Sequence, residues 1–140
     1  MPEQPTNAHE RYLRLILRII GVSSLFAIPF IFVPFETMFA IHAELNMGDL
    51  PNTPIVNYLA RSTSALYAIV GGLMVVVSFD LQRNRAVIAY IGRAFILFGM
   101  ALLLVDWQYG MPLSWTLWEG PFIVVVGSII AYLGAKVETE

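Results

Sequence analysis

The chain has no cysteine. That one absence removes disulfides, thiolate nucleophiles, iron–sulfur clusters and every zinc site built on sulfur. Charge is nearly as scarce. Only 13% of the 140 residues are Asp, Glu, Lys or Arg, about half the share of an ordinary soluble domain. The balance is slightly acidic, at −2, so no basic excess exists to neutralise nucleic-acid phosphates. There is no glycine-rich phosphate loop, no HExxH pair and no Gly-x-Ser-x-Gly elbow. Two histidines are present. His9 lies near the N-terminus and His42 is expected on the other side of the membrane, so one chain cannot clamp a haem between them. No cofactor and no metal is expected, and the inventory leans away from an enzyme.

What the chain has in abundance is apolar residue. They make up 58% of it, and the mean hydropathy is +0.72. Residues 62–79 carry no charge between Arg61 and Asp80. As a helix they reach about 27 Å, close to the hydrocarbon thickness of a bilayer. Ala60, Ser64, Ala68 and Gly72 put small side chains on one face at intervals of four, a spacing that lets a second helix approach closely. Gly72→Leu is therefore expected to cost more than Val76→Leu. The fold class expected is an all-α integral membrane protein in one domain. It is a four-transmembrane-helix bundle with spans at about 15–35, 60–80, 86–106 and 115–136.

Residues 1–6, with Pro2 and Pro5, read as a loose start. Asn7 and Glu10 have the form of a capping box. Arg11, Arg14 and Arg18 then share a helix face, and Pro29 is expected to kink the first span. The span is long for a signal peptide and lacks a cleavage site, so a retained span is expected. Residues 36–46 place Phe35, Met38, Phe39, Ile41 and Leu45 on one arc, with His42 near its middle. This reads as a short amphipathic helix lying in the interface between spans one and two. Gly48, Pro51 and Pro54 break the chain, and Thr53 can cap the second span. The link at 80–85 is too short for anything but antiparallel neighbours. Gly92 and Gly99, then Gly120, Gly127 and Gly134, repeat at seven residues and give two more small-residue seams. Trp107, Trp115 and Trp118 read as an interfacial belt. Ser114 is the expected cap of the last span, and Gly120-Pro121 is expected to bend it. Lys136, Glu138 and Glu140 form the tail.

Arg11, Arg14, Arg18, Arg83, Arg85, Arg93 and Lys136 gather on one side of this threading, against Arg61 alone on the other. The positive-inside rule then places both termini in the cytoplasm of a multi-pass inner-membrane protein.

Two charged clusters follow. The outer one comprises Glu36, His42, Arg61, Asp106 and Glu119 and could line a polar pocket, with Arg61 expected to pair with Glu119. The inner one is a clamp of Arg18, Asp80 and Arg93. Ion pairing, snorkelling and lipid phosphates account for the same residues without any function.

Arg61, then Ala65-Leu66-Tyr67-Ala68 and Gly71-Gly72, open a small-residue second span. With the short basic turn and the glycine-seamed third and fourth spans, this resembles small bacterial four-span membrane proteins of the DoxX-like kind. The resemblance covers the chain in outline, and the helix at 36–46 departs from it. It implies no catalytic residue, though some members of that wider group are associated with quinone-linked oxidoreductase complexes. Two functions are compared. One is a non-catalytic membrane protein, an accessory subunit or binder of a lipid-like molecule. The other is a membrane oxidoreductase component or enzyme handling a quinone-like apolar substrate at the outer interface, where Arg61, Asp106, Glu119 and His42 would bind it or exchange protons. A small transporter ranks below both, because no inverted repeat with broken helices is visible. The partners expected are the lipid bilayer and either other membrane subunits or a second copy of the chain, with no nucleic acid.

Overall fold

The computed structural model describes residues 7–45 and 50–137. The expected loose start at 1–6, the break at Gly48 and the tail acids Glu138 and Glu140 lie outside these residues. Every regular element described is helical: α1 (Ala8–Leu25), a 3₁₀ turn (Ile28–Ile31), α2 (Phe35–Glu44), α3 (Pro54–Val77), α4 (Arg85–Tyr109) and α5 (Leu113–Gly134). Among the described residues, four segments are long and apolar enough to cross a bilayer: Ala8–Ile31, Pro54–Val77, Arg85–Tyr109 and Leu113–Gly134. Large apolar side chains cover their exteriors. Phe26 is 72% exposed, Leu104 73% and Trp118 74%, a surface that suits lipid and not water.

Local chemistry explains most boundaries. The Asn7 side chain accepts from the His9 backbone N–H at 3.4 Å, starting α1. The expected kink at Pro29 is instead a break. α1 ends at Leu25, four residues before the proline that has no N–H to offer the Leu25 carbonyl. The chain resumes as a single 3₁₀ turn with Pro29 in its first positions. Thr53 Oγ1 accepts from the Val56 N–H at 3.4 Å, and Pro54 is the first residue of α3. In the link to α4, Asp80 Oδ1 accepts from the Arg83 N–H at 3.0 Å and the Asp80 carbonyl accepts from the Asn84 side chain at 2.7 Å. α4 closes on Gly110, whose φ of 65° lets its N–H return to the helix carbonyls. α5 begins at Leu113 after Pro112, with no side-chain cap. Ser114 is thus inside the helix and not its cap, since Pro112 already fixes the backbone there. α5 stays helical through Pro121.

The chain divides into two compact units, residues 1–19 with 75–140, and residues 20–74. In the first, α4 and α5 are antiparallel, joined by three residues, and packed along their glycines. A Cβ at Gly99 would lie 2.7 Å from the Gly120 carbonyl oxygen and 2.9 Å from the Val124 nitrogen. One at Gly92 would lie 2.7 Å from the Ala131 nitrogen, and one at Gly120 2.6 Å from Leu103 Cγ. Both seven-residue seams therefore meet each other, backbone to backbone. Leu13, Leu17, Ile88 and Ile130 are fully buried.

In the second unit Ala60, Ser64, Ala68 and Gly72 of α3 are half-buried, and the closest approach to α3 is not at Gly72. A Cβ on Gly72 would meet nothing within 4 Å, whereas one on Gly71 would lie 2.6 Å from the Gly21 carbonyl oxygen and 2.7 Å from Ser24 Cβ. At about 100° per residue, Gly71 falls within about 20° of Ala60 and Gly72 about 120° away. The expected steric cost of Gly72→Leu is therefore misplaced by one residue.

Candidate functional site

Asp106 stands seven residues beyond Gly99 and fourteen beyond Gly92, on the seam that faces α5. It is 5% exposed. Among the described residues its Oδ2 is a buried side-chain oxygen left without a hydrogen-bond partner. Across the seam, half-buried Glu119 receives a hydrogen bond from Trp115 and lies within electrostatic range of Asp106. Trp115 sits one turn before Glu119 on α5, so helical spacing alone brings the indole to the carboxylate. The other two tryptophans of the belt turn outward, Trp107 at 86% exposure. This end of the first unit is thus rich in acceptors and holds one buried oxygen able to receive a further donor.

Within the second unit Arg61 is engaged with the backbone. Its Nη1 donates to the Ile31 carbonyl and its Nη2 to the Val33 carbonyl, the latter at 3.1 Å. The reason is local. Pro34, three residues past Ile31, has no N–H to offer the Ile31 carbonyl, so that carbonyl needs another donor, and the guanidinium fork reaches it and Val33 together. On α2, Phe35, Met38 and His42 are half-buried while Phe39 and Ile41 are exposed. The inward arc therefore includes His42 but is narrower than the five-residue arc of the sequence. Glu36 is exposed on another side of that helix.

At the far end of the first unit, the three residues of the expected inner clamp have separate roles. Arg18 Nε donates to Ser78 Oγ at 3.1 Å, and its guanidinium lies 5.2 Å above the Phe79 ring. The hydroxyl of fully buried Ser78 in turn donates to the Val75 carbonyl at 2.6 Å. Asp80 is used in the turn described above. Arg93 lines a groove of about 660 Å³ between α4 and α5, together with Arg83 and Arg85 over a floor that includes Ala89, Ala131 and Gly134. Sequence reasoning missed this grouping. The signal was the four-residue spacing of Arg85, Ala89 and Arg93, which puts them on one helix face. The Ser78 contact and the two carbonyls under Arg61 carry no sequence signature at all.

Among the described residues, no three His, Asp or Glu side chains are grouped to hold a metal ion. The class is that of an all-α, multi-pass membrane protein with four candidate spans. Comparison with protein families, curated proteins and solved structures finds no match that would narrow it.

Proposed function

We propose that the chain is a non-catalytic protein of a bacterial inner membrane, threaded with both termini in the cytoplasm, that serves as an accessory subunit or binds a lipid-like molecule. α2 lies along the outer interface in this reading, and the resemblance to DoxX-like proteins belongs to the same proposal. The observation that carries it is the partition of side chains. Apolar residues coat the long helices, and in the first unit the carboxylates Asp106 and Glu119 gather at one end of the α4–α5 pair and the arginine groove at the other. Such a molecule offers a lipid an apolar wall and a polar place for its head. The quinone-handling reading has one observation of its own. Asp106 Oδ2 has lone pairs to spare and would accept a hydroxyl hydrogen from a reduced quinone.

Purification in mild detergent, followed by mass spectrometry of whatever stays bound, tests the choice. A co-purifying membrane subunit or phospholipid is the expected result. A monomer carrying quinone and showing redox activity would overturn it.

A further inference from the structure

The groove at the start of α4 narrows the ligand. Arg83, Arg85 and Arg93 share its wall. Among the described residues, none of the three guanidinium groups has a hydrogen-bond or ion-pair partner, and none of the residues lining the groove is acidic. This contrasts with Arg18 and Arg61, each of which is engaged within its own unit. Arg83, Arg85 and Arg93 spread positive charge along the groove, with the Asp80 carboxylate placed beside Arg83 alone, and an anion bound among them lowers their mutual repulsion. The floor is closed by the seam. A Cβ on Gly92 would lie 2.7 Å from the Ala131 nitrogen, and one on Gly134 3.1 Å from Ile88 Cγ2. The helices thus almost touch beneath the arginines, and the small residues there leave the space that larger side chains would fill.

Arg93 lies eight residues into α4 from Arg85, about 12 Å along the axis. The charge therefore extends from the end of a candidate span down its apolar wall. A small soluble anion would need only one end of that ladder. A lipid headgroup, with its phosphate among the arginines and its acyl chains along the exposed apolar face, uses all of it.

We propose that the groove formed by Arg83, Arg85 and Arg93 between α4 and α5 is a binding site for an anionic phospholipid headgroup. This rests on the reading of the protein as a membrane-embedded binder, and it gives that binder a ligand class and a place.

The test uses the full chain, delipidated in detergent and returned to nanodiscs that mix phosphatidylglycerol with phosphatidylcholine. Native mass spectrometry reads the lipid that stays bound. The wild type is expected to retain phosphatidylglycerol over phosphatidylcholine by about tenfold, and Arg85→Gln with Arg93→Gln to bring the two near parity. Arg85→Lys with Arg93→Lys, which keeps the charge, should retain most of the preference, and an unchanged thermal midpoint of the double Gln variant shows that its loss is not unfolding. Millimolar inorganic phosphate should leave the bound lipid in place. Displacement by phosphate would make this a soluble-anion site and overturn the lipid assignment. A phosphatidylglycerol preference untouched by the variants would overturn the groove while leaving a lipid-binding protein. Absence of any retained lipid would count against the broader reading as well.

Discussion

Gly127→Leu is expected to abolish stable folding of the α4–α5 pair, and Gly127→Ala to lower its thermal midpoint in detergent markedly. A Cβ at this position would lie 2.7 Å from the Gly92 carbonyl oxygen, 2.8 Å from the Ile96 nitrogen and 2.8 Å from Phe95 Cβ. Two of these three are backbone atoms, which cannot rotate away. The helices must separate, and each neighbouring contact along the seam is loosened with them. Overpacking a closed core by even small groups costs about 1–3 kcal/mol, so alanine should fall in that range and leucine beyond it. Gly134→Ala supplies the graded comparison, because its obstacle is the Ile88 side-chain Cγ2 at 3.1 Å, which can shift. Gly72→Ala supplies the other extreme. It meets nothing within 4 Å and gains up to about 1 kcal/mol of helix propensity over glycine. Thermal unfolding followed by near-UV circular dichroism should rank them Gly127, Gly134, Gly72 in decreasing loss. Equal responses at Gly127 and Gly72 would mean that α4 and α5 do not meet at their glycines.

The second large effect is at Arg61. Arg61→Met should destabilise the protein by about 1–3 kcal/mol, because it leaves the part-buried Ile31 and Val33 carbonyls without their donor and a stranded polar group costs about that much. Arg61→Lys should recover part of this, since one ammonium can reach one carbonyl but cannot fork across two. Limited proteolysis reads the local consequence. Cleavage near residues 31–34 should rise in Arg61→Met before global unfolding. The pairing with Glu119 expected from sequence is tested by the same variants. If the carbonyls are the partners that matter, losses from Arg61→Met and Glu119→Gln add. A coupling above about 1 kcal/mol between them would restore the carboxylate to the account.

The two halves of the chain differ in how much of this could be read in advance. The seven-residue glycine spacing on α4 and α5 named the faces that meet, because helical geometry alone fixes which residues share a side. Thr53-Pro54 marked the start of α3 for the same reason, a local rule with a local cause. Pro29 was visible as a disturbance, but whether a proline kinks a helix or ends it depends on what rescues the freed carbonyls. Here the helix ends at Leu25, and Arg61, thirty residues beyond Ile31, instead holds the Ile31 and Val33 carbonyls of the segment that follows. Gly71 and Gly72 are adjacent, and one position of error in the face carries the steric cost to the wrong one. Asp106 reads as the end of a span by its charge, yet it continues the Gly92 and Gly99 face into the interior. A charged residue on a small-residue seam is the sign that was present and unused. The arginine groove needed a partner helix to become a site, and neither spacing nor composition shows where Ala131 and Gly134 stand relative to Arg93.

Four membrane crossings with the arginine-rich turn on the cytoplasmic side are the central claim, and the missing cysteines make a direct test clean. Single cysteines at Asn52, Gln82 and Met111 of the otherwise cysteine-free chain can be labelled with a membrane-impermeant maleimide in intact spheroplasts and again after lysis. The account predicts labelling of Asn52→Cys and Met111→Cys in the intact preparation, and of Gln82→Cys only after lysis. Labelling of all three from the same side, or of Gln82→Cys alone before lysis, would contradict it.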